Sequence, residues 1–208
     1  MNSSQFSGNK VGNNKNQPAL ILASSSPYRQ ELLARLKIPF LCQSPEIEET
    51  TLDGEDAVAA VMRLSEQKAR KIAAFHPAAI IIGSDQVALL NDCILTKPGN
   101  HDKARQQLEQ LSGQNVVFNT GLCVVNAKSG SIQTGYVPFA VKFRKLDAGE
   151  IEHYLSKETP YDCAGSFKSE GLGISLLEKM TGDDPTALIG LPLIRLSAML
   201  RNEGIALP

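Results

Sequence analysis

The chemistry-bearing residues of this sequence form groups that suit an anionic ligand. The first is Ser24-Ser25-Ser26-Pro27-Tyr28-Arg29, directly after the apolar run Leu20-Ile21-Leu22-Ala23. Serine is a preferred N-cap and proline suits the first helical position, so a helix is predicted to start at Pro27. Its free N–H groups, three hydroxyls and the Arg29 guanidinium then face one spot, which is an apparatus for holding an anion such as phosphate. The second is Lys68. At about 100° per residue, Val61, Leu64, Lys68 and Ile72 fall on one stripe of a long helix. A lysine in an apolar stripe either reaches an anion in a cleft or snorkels out to water past its neighbours.

The third group is acidic. Asp85 stands behind Gly83, just after Ile80-Ile81-Ile82. Carboxylates at strand ends are common site residues in α/β folds, and Gly83 would keep the approach to this one open. A turn aspartate bonded to its own backbone is the alternative. Glu46, Glu48 and Glu49 supply either metal ligands or a solvated loop. Lys97-Pro98-Gly99 reads as a loop lysine beside a turn. Gly165, Gly171 and Gly173 flank Ser166–Glu170, where they permit close approach of backbone to ligand or build an ordinary loop.

The sequence also excludes a good deal. It has no GxxxxGKS/T phosphate loop, no GxGxxG after a strand and no GxSxG elbow. What remains is phosphate-ester or anhydride chemistry without a common nucleotidase motif. The 208 residues carry a formal charge of −1, with Lys and Arg spread along the chain, so there is no footprint for duplex nucleic acid. No apolar run approaches the ~20 residues of a membrane span. Cys42, Cys93, Cys123 and Cys163 lie far apart with no CxxC pair, which argues against zinc and disulfides and fits a reducing cytoplasm. Any metal would then be oxygen-bound, in the manner of magnesium or manganese shared with a substrate phosphate.

These residues need elements to position them. Strands are predicted at Leu20–Ala23, Phe40–Ser44, Ile80–Ile82, Val87–Leu90, Cys93–Thr96, Val116–Ala127, Ile132–Leu146 and Ile174–Met180. Helices are predicted at Pro27–Leu36, Glu55–Phe75 and Asp102–Leu111, at a capping box from Asp147 to about Ser156, and from Pro192 to before Gly204. The hairpins interrupt the βα units, so the sheet should be mixed and the class α/β. Residues 1–17, rich in Asn, Ser, Gly and Lys, read as a disordered tail. Residues 18–208 read as a single domain.

Several motifs in order resemble one family, the Maf family of nucleoside triphosphate pyrophosphatases. They are Leu20–Leu33, Lys68-Ala69, Ile82-Gly83-Ser84-Asp85-Gln86, Thr96-Lys97-Pro98, Ala164–Gly171 and Ile189-Gly190-Leu191-Pro192-Leu193. The resemblance spans about residues 19 to 204. It implies a mixed-sheet α/β fold with flanking helices and two lobes around a deep cleft, related to inosine-triphosphate pyrophosphatases. It also implies hydrolysis of a nucleoside triphosphate to the monophosphate and pyrophosphate, a divalent metal (Mg, Mn or Co), a cytoplasmic location and often a homodimer.

By matching positions, Asp85 would be the proton acceptor or a metal ligand. Ser24, Arg29, Lys68 and Lys97 would hold the triphosphate, and Glu49 would help with the metal. Tyr28, Gln86 and Glu170 would set specificity. Gln86 after Asp85, with Ser-Phe-Lys-Ser-Glu at 166–170, resembles the members that prefer 7-methyl-GTP. Tyr28 stands where that subgroup commonly has Trp, and Gln30 where a second Arg is often seen. The alternatives are the same reaction on a pyrimidine or damaged purine nucleotide, and a regulator of cell division that binds nucleotide without turnover.

Overall fold

Isoleucines and leucines set the centre of the fold. The computed structural model describes residues 18–91 and 93–208. The predicted tail at 1–17 lies outside the described residues, as does Asp92. In order, the elements are β1 (Leu20–Leu22), α1 (Pro27–Ala34), β2 (Leu41–Cys42), α2 (Ala57–Ala73), β3 (Ile80–Leu90), β4 (Cys93–Leu95) and α3 (His101–Leu111). Then follow β5 (Asn115–Asn126), β6 (Ile132–Phe143), α4 (Ala148–Glu158), β7 (Leu177–Thr181), α5 (Thr186–Ile189) and α6 (Leu193–Asn202). The strands form a mixed sheet in the order β2-β1-β3-β5-β6-β7, with β4 also pairing β3. β1 runs parallel to β2 and β3, and the other pairs are antiparallel.

Strand alternation sorts side chains to the two faces. Leu20, Leu22, Ile80 and Ile82 pack on Leu32 and Leu33 of α1 and Leu196 and Leu200 of α6. Ile21, Ala23 and Ile81 pack on Ala69 and Ile72 of α2. A further core joins α3 and α4 to the far half of the sheet through Leu108, Leu111, Phe118, Phe143, Tyr154 and Phe167. A cleft opens between these halves, lined by Phe118 and Phe167 on one side and by the β1–α1 turn on the other.

The largest departure from expectation is β3. Ile80–Ile82 and Val87–Leu90 are one continuous strand, so Asp85 lies in its middle rather than past its end. Ser84, Asp85 and Gln86 interrupt the predicted strands because they are polar. Each is paired across the strand instead, with Leu122, Gly121 and Thr120 of β5. The strand end that matters is that of β1. Beyond Leu22 it leaves β3, and β4 joins only from Ala88, so among the described residues the β3 edge from Gly83 to Val87 has no partner strand on that side.

Smaller differences follow local physics. Leu172–Leu176 is a 3-10 turn, so β7 starts only at Leu177. The first helix is capped as its sequence requires, with the Ser26 hydroxyl accepting from the Arg29 N–H and Pro27 in the first turn. The Asp147–Glu150 capping box forms with both reciprocal bonds. Asp147→Ala should therefore destabilise the protein by about 1 kcal/mol in urea unfolding, with little effect on activity.

Candidate active site

Every site residue that the resemblance implies lines one cavity of about 450 Å³, whereas Glu48 of the acidic run does not. Ser24, Tyr28 and Arg29 come from the β1–α1 turn and the first turn of α1. Glu49 comes from the loop after β2, Lys68 from α2, and Asp85 and Gln86 from β3. Lys97 follows β4, and Glu170 lies between α4 and β7.

At the floor, Lys68 is 4% exposed and does not snorkel. Its Nζ lies 2.6 Å from Asp85 Oδ1 and 2.8 Å from Glu49 Oε1. Close helix–strand packing sets this geometry. A Cβ on Gly83 would stand 2.1 Å from the Ser65 carbonyl oxygen, and one on Gly121 2.2 Å from that of Val61. The two glycines thus let α2 lie directly on β3 and β5. Gly83 does not open the approach to Asp85, as its position suggested; it seats the helix whose next turn carries Lys68. Asp85 shares the α2 face with Gly83, two residues apart on the strand.

The opposite face of β3 holds Ser84 and Gln86. The Ser84 hydroxyl lies within hydrogen-bond distance of the Gly121 and Gly190 carbonyls, at 2.8 and 2.9 Å. Gln86 Nε2 donates to Thr120 Oγ1 and to the Ala187 and Leu188 carbonyls of α5. Arg29 Nε donates to the Gly190 carbonyl at 2.9 Å, which fixes the guanidinium. No protein acceptor bonds its terminal NH2 groups among the described residues. Burial lowers the Arg29 pKa from its ordinary value, and the Asp85 and Glu49 carboxylates oppose that shift. Gly190 reaches this position with φ +112°, a conformation that L side chains rarely adopt.

The β1–α1 turn satisfies part of its own backbone. Ser24 Oγ accepts from the Ser26 N–H at 3.1 Å. Of the acidic run, Glu49 alone meets Lys68; Glu46 lines the cavity elsewhere. The described residues contain no group of three or more His, Cys, Asp or Glu side chains placed to hold a metal. Asp85 and Glu49 each give one oxygen to the Lys68 ammonium, and the other oxygen of each carboxylate accepts no hydrogen bond among the described residues. Two carboxylates completed by ligand phosphate oxygens are a donor set that a magnesium-class ion accepts, so the residues fit such an ion.

The Tyr28 hydroxyl donates to Asp162 Oδ2 at 3.0 Å, and the Cys163 thiol lies 3.8 Å from the same hydroxyl. Lys168 Nζ is 5.8 Å from the Tyr28 ring centroid. Burial, then the Cys163 and Asp162 contacts, push the Tyr28 pKa above its ordinary value, and burial pushes the Cys163 thiol up to about 12. Glu170 is exposed at the rim.

Sequence reasoning missed Asp162, Thr120 and the Gly190 carbonyl. Asp162 and Thr120 lack a periodic signal. Gly190 sits inside a motif, but its role is played by a backbone atom.

Residues 19–203 match the family model described as Maf-like protein. The chain is 57% identical over 189 residues to the 7-methyl-GTP pyrophosphatase of Pseudomonas fluorescens Pf-5, covering 91% of this chain and 98% of that one. It is 55% identical over 187 residues to the 7-methyl-GTP pyrophosphatase of Nitrosococcus oceani, covering 90% and 94%. Among solved structures, a HAM1 protein from Coxiella burnetii aligns with a TM-score of 0.40 and 18% identity, over 61% of this chain and 73% of that one.

Proposed function

The chain belongs to the Maf family, and on that premise we propose that it hydrolyses 7-methyl-GTP to 7-methyl-GMP and pyrophosphate. The observation that carries the reading is the buried Lys68 between Asp85 and Glu49, in one cavity with Arg29, Tyr28, Gln86 and Glu170. The relatives at 52–57% identity, named for that activity, support the choice of nucleotide.

The triphosphate lies against the β1–α1 turn, with Arg29, Lys68 and Lys97 offsetting its charge and Ser24 at the turn. A water oxygen bonds to the α-phosphorus while the bond from that phosphorus to the α–β bridging oxygen breaks. Pyrophosphate leaves with the electron pair. Asp85 orients the water and takes its proton through Oδ2, the oxygen that no side chain or backbone donor occupies among the described residues. A carboxylate is a weak base toward bulk water. A divalent ion held by Asp85 and Glu49 would make the water more acidic and would draw charge from the phosphates. Rate enhancement then comes chiefly from positioning and fixed charge.

Methylation at N7 leaves the guanine ring cationic, and an aromatic face such as that of Tyr28 attracts a cation. Glu170 accepts from the N1–H and N2–H edge of guanine, which adenine lacks. Glu170→Ala should therefore lower kcat/KM for 7-methyl-GTP and GTP by about tenfold or more and spare adenine nucleotides, reordering the ranking. This reading also carries a cytoplasmic location, suited to the free thiols of exposed Cys42 and Cys93, and a homodimer.

The direct test is pyrophosphate release from a panel of methylated and unmethylated nucleoside triphosphates, with and without magnesium, manganese or cobalt. The expected result is fastest release from 7-methyl-GTP, dependent on added metal. Fastest release from a pyrimidine nucleotide would move the substrate. Binding without release would make the protein a nucleotide sensor.

A further inference from the structure

Tyr28 differs from an indole in bearing a hydroxyl, and in this chain the hydroxyl is engaged. It donates at 3.0 Å to the Asp162 carboxylate, 134 residues away in sequence. A phenol that donates to an anion gains electron density on its ring, because the O–H bond is polarised toward the acceptor. The ring face becomes more negative and attracts a cation more strongly. Working against this, the Lys168 ammonium already stands 5.8 Å from the ring centroid. Lys168 is not among the residues lining the cavity, whereas Tyr28 and Asp162 both are. The carboxylate thus meets the ring at its hydroxyl, within the cavity lining, and acts on the ring through that bond.

We propose that Asp162 is a positioning residue for base selection: through its bond to the Tyr28 hydroxyl it orients the ring and raises its preference for a positively charged purine over a neutral one. This rests on the reading of the cavity as a site for 7-methyl-GTP. It adds to that reading a residue outside the resemblance, one whose role exists only because the ring here is a phenol. Tyrosine is a weaker cation receptor than tryptophan. The Tyr28–Asp162 pair recovers part of the difference by a second side chain.

The test measures binding of 7-methyl-GMP and GMP by titration calorimetry, which needs no turnover, alongside kcat and KM on both triphosphates. The proteins are wild type, Asp162→Asn, Asp162→Glu, Tyr28→Phe and the double variant Tyr28→Phe/Asp162→Asn. Asp162→Asn should lower the preference for the methylated nucleotide by about threefold to tenfold, through KM rather than kcat, with GMP affinity nearly unchanged. Asp162→Glu should retain most of the preference. In the Tyr28→Phe background, Asp162→Asn should change nothing further.

Equal loss of affinity for both nucleotides in Asp162→Asn would overturn the proposal. So would an undiminished effect of Asp162→Asn in the Tyr28→Phe background, since the carboxylate would then act on the ligand directly. A wild type that binds both nucleotides equally would instead sink the substrate reading, and the proposal with it. Preserved binding preference without pyrophosphate release would sink the enzymatic reading alone.

Discussion

Asp85→Asn is expected to lower kcat by about 10² to 10⁴ while leaving the protein folded. The substitution is nearly isosteric and removes one negative charge from the cavity floor. Lys68 keeps Glu49 as a partner at 2.8 Å, so its ammonium is not stranded without a counter-charge. The amide offers no group that accepts a proton from water. Stopped or continuous pyrophosphate assays give kcat, and thermal unfolding reports on the fold. Turnover within threefold of wild type would remove Asp85 from the reaction. Lys68→Ala separates activity from fold less cleanly. It leaves Asp85, which is 9% exposed, without its cation, and breaking one side of a buried ion pair costs about 3–5 kcal/mol. Its loss of activity should extend equally to every nucleotide, because Lys68 serves the phosphates and not the base.

The second large effect is on stability. Gly83→Ala places a methyl group 2.1 Å from the Ser65 carbonyl oxygen and 2.9 Å from the Ala69 nitrogen. Both obstacles are helix backbone, which cannot rotate away as a side chain can. α2 must lift from the sheet, at a cost of about 3 kcal/mol or more, at or above the upper end of ordinary overpacking. The lift carries Lys68 away from Asp85, so kcat should fall together with the urea midpoint. Gly130→Ala is the useful contrast. Its φ is +77°, but nothing lies within 4 Å of the added Cβ. It should cost about 1 kcal/mol from the backbone conformation alone and leave catalysis intact.

Lys68 was legible because helical periodicity makes one charged residue conspicuous on an apolar face. The Ser26-Pro27 start and the Asp147–Glu150 cap were legible because capping depends on neighbours in sequence. β3 was not, and the reason is tertiary. Its polar centre is satisfied by groups far along the chain: Ser84 by the Gly121 and Gly190 carbonyls, Asp85 by Lys68, Gln86 by Thr120 and α5. A local pattern records the polarity of such residues but not their distant partners, so it returns a break between strands. α5 spans four residues, too few to show a period. The role of Gly83 was misjudged for a related reason, since what a glycine makes room for depends on what is packed above it.

The unpaired stretch of β3 has a consequence for how the enzyme tolerates change. The Ile82 carbonyl accepts from the Ala23 N–H, so by strand alternation the main-chain N–H and C=O of Ser84 and Gln86 point to that same margin, where β1 has stopped and β4 has not begun. Main-chain donors and acceptors are the same for every residue type except proline. Ser84 is fully buried and does not line the cavity, whereas Gln86 does, so only the Gln86 stretch of this margin borders the site. A ligand that met the main chain there would be recognised by atoms that amino-acid replacement cannot delete.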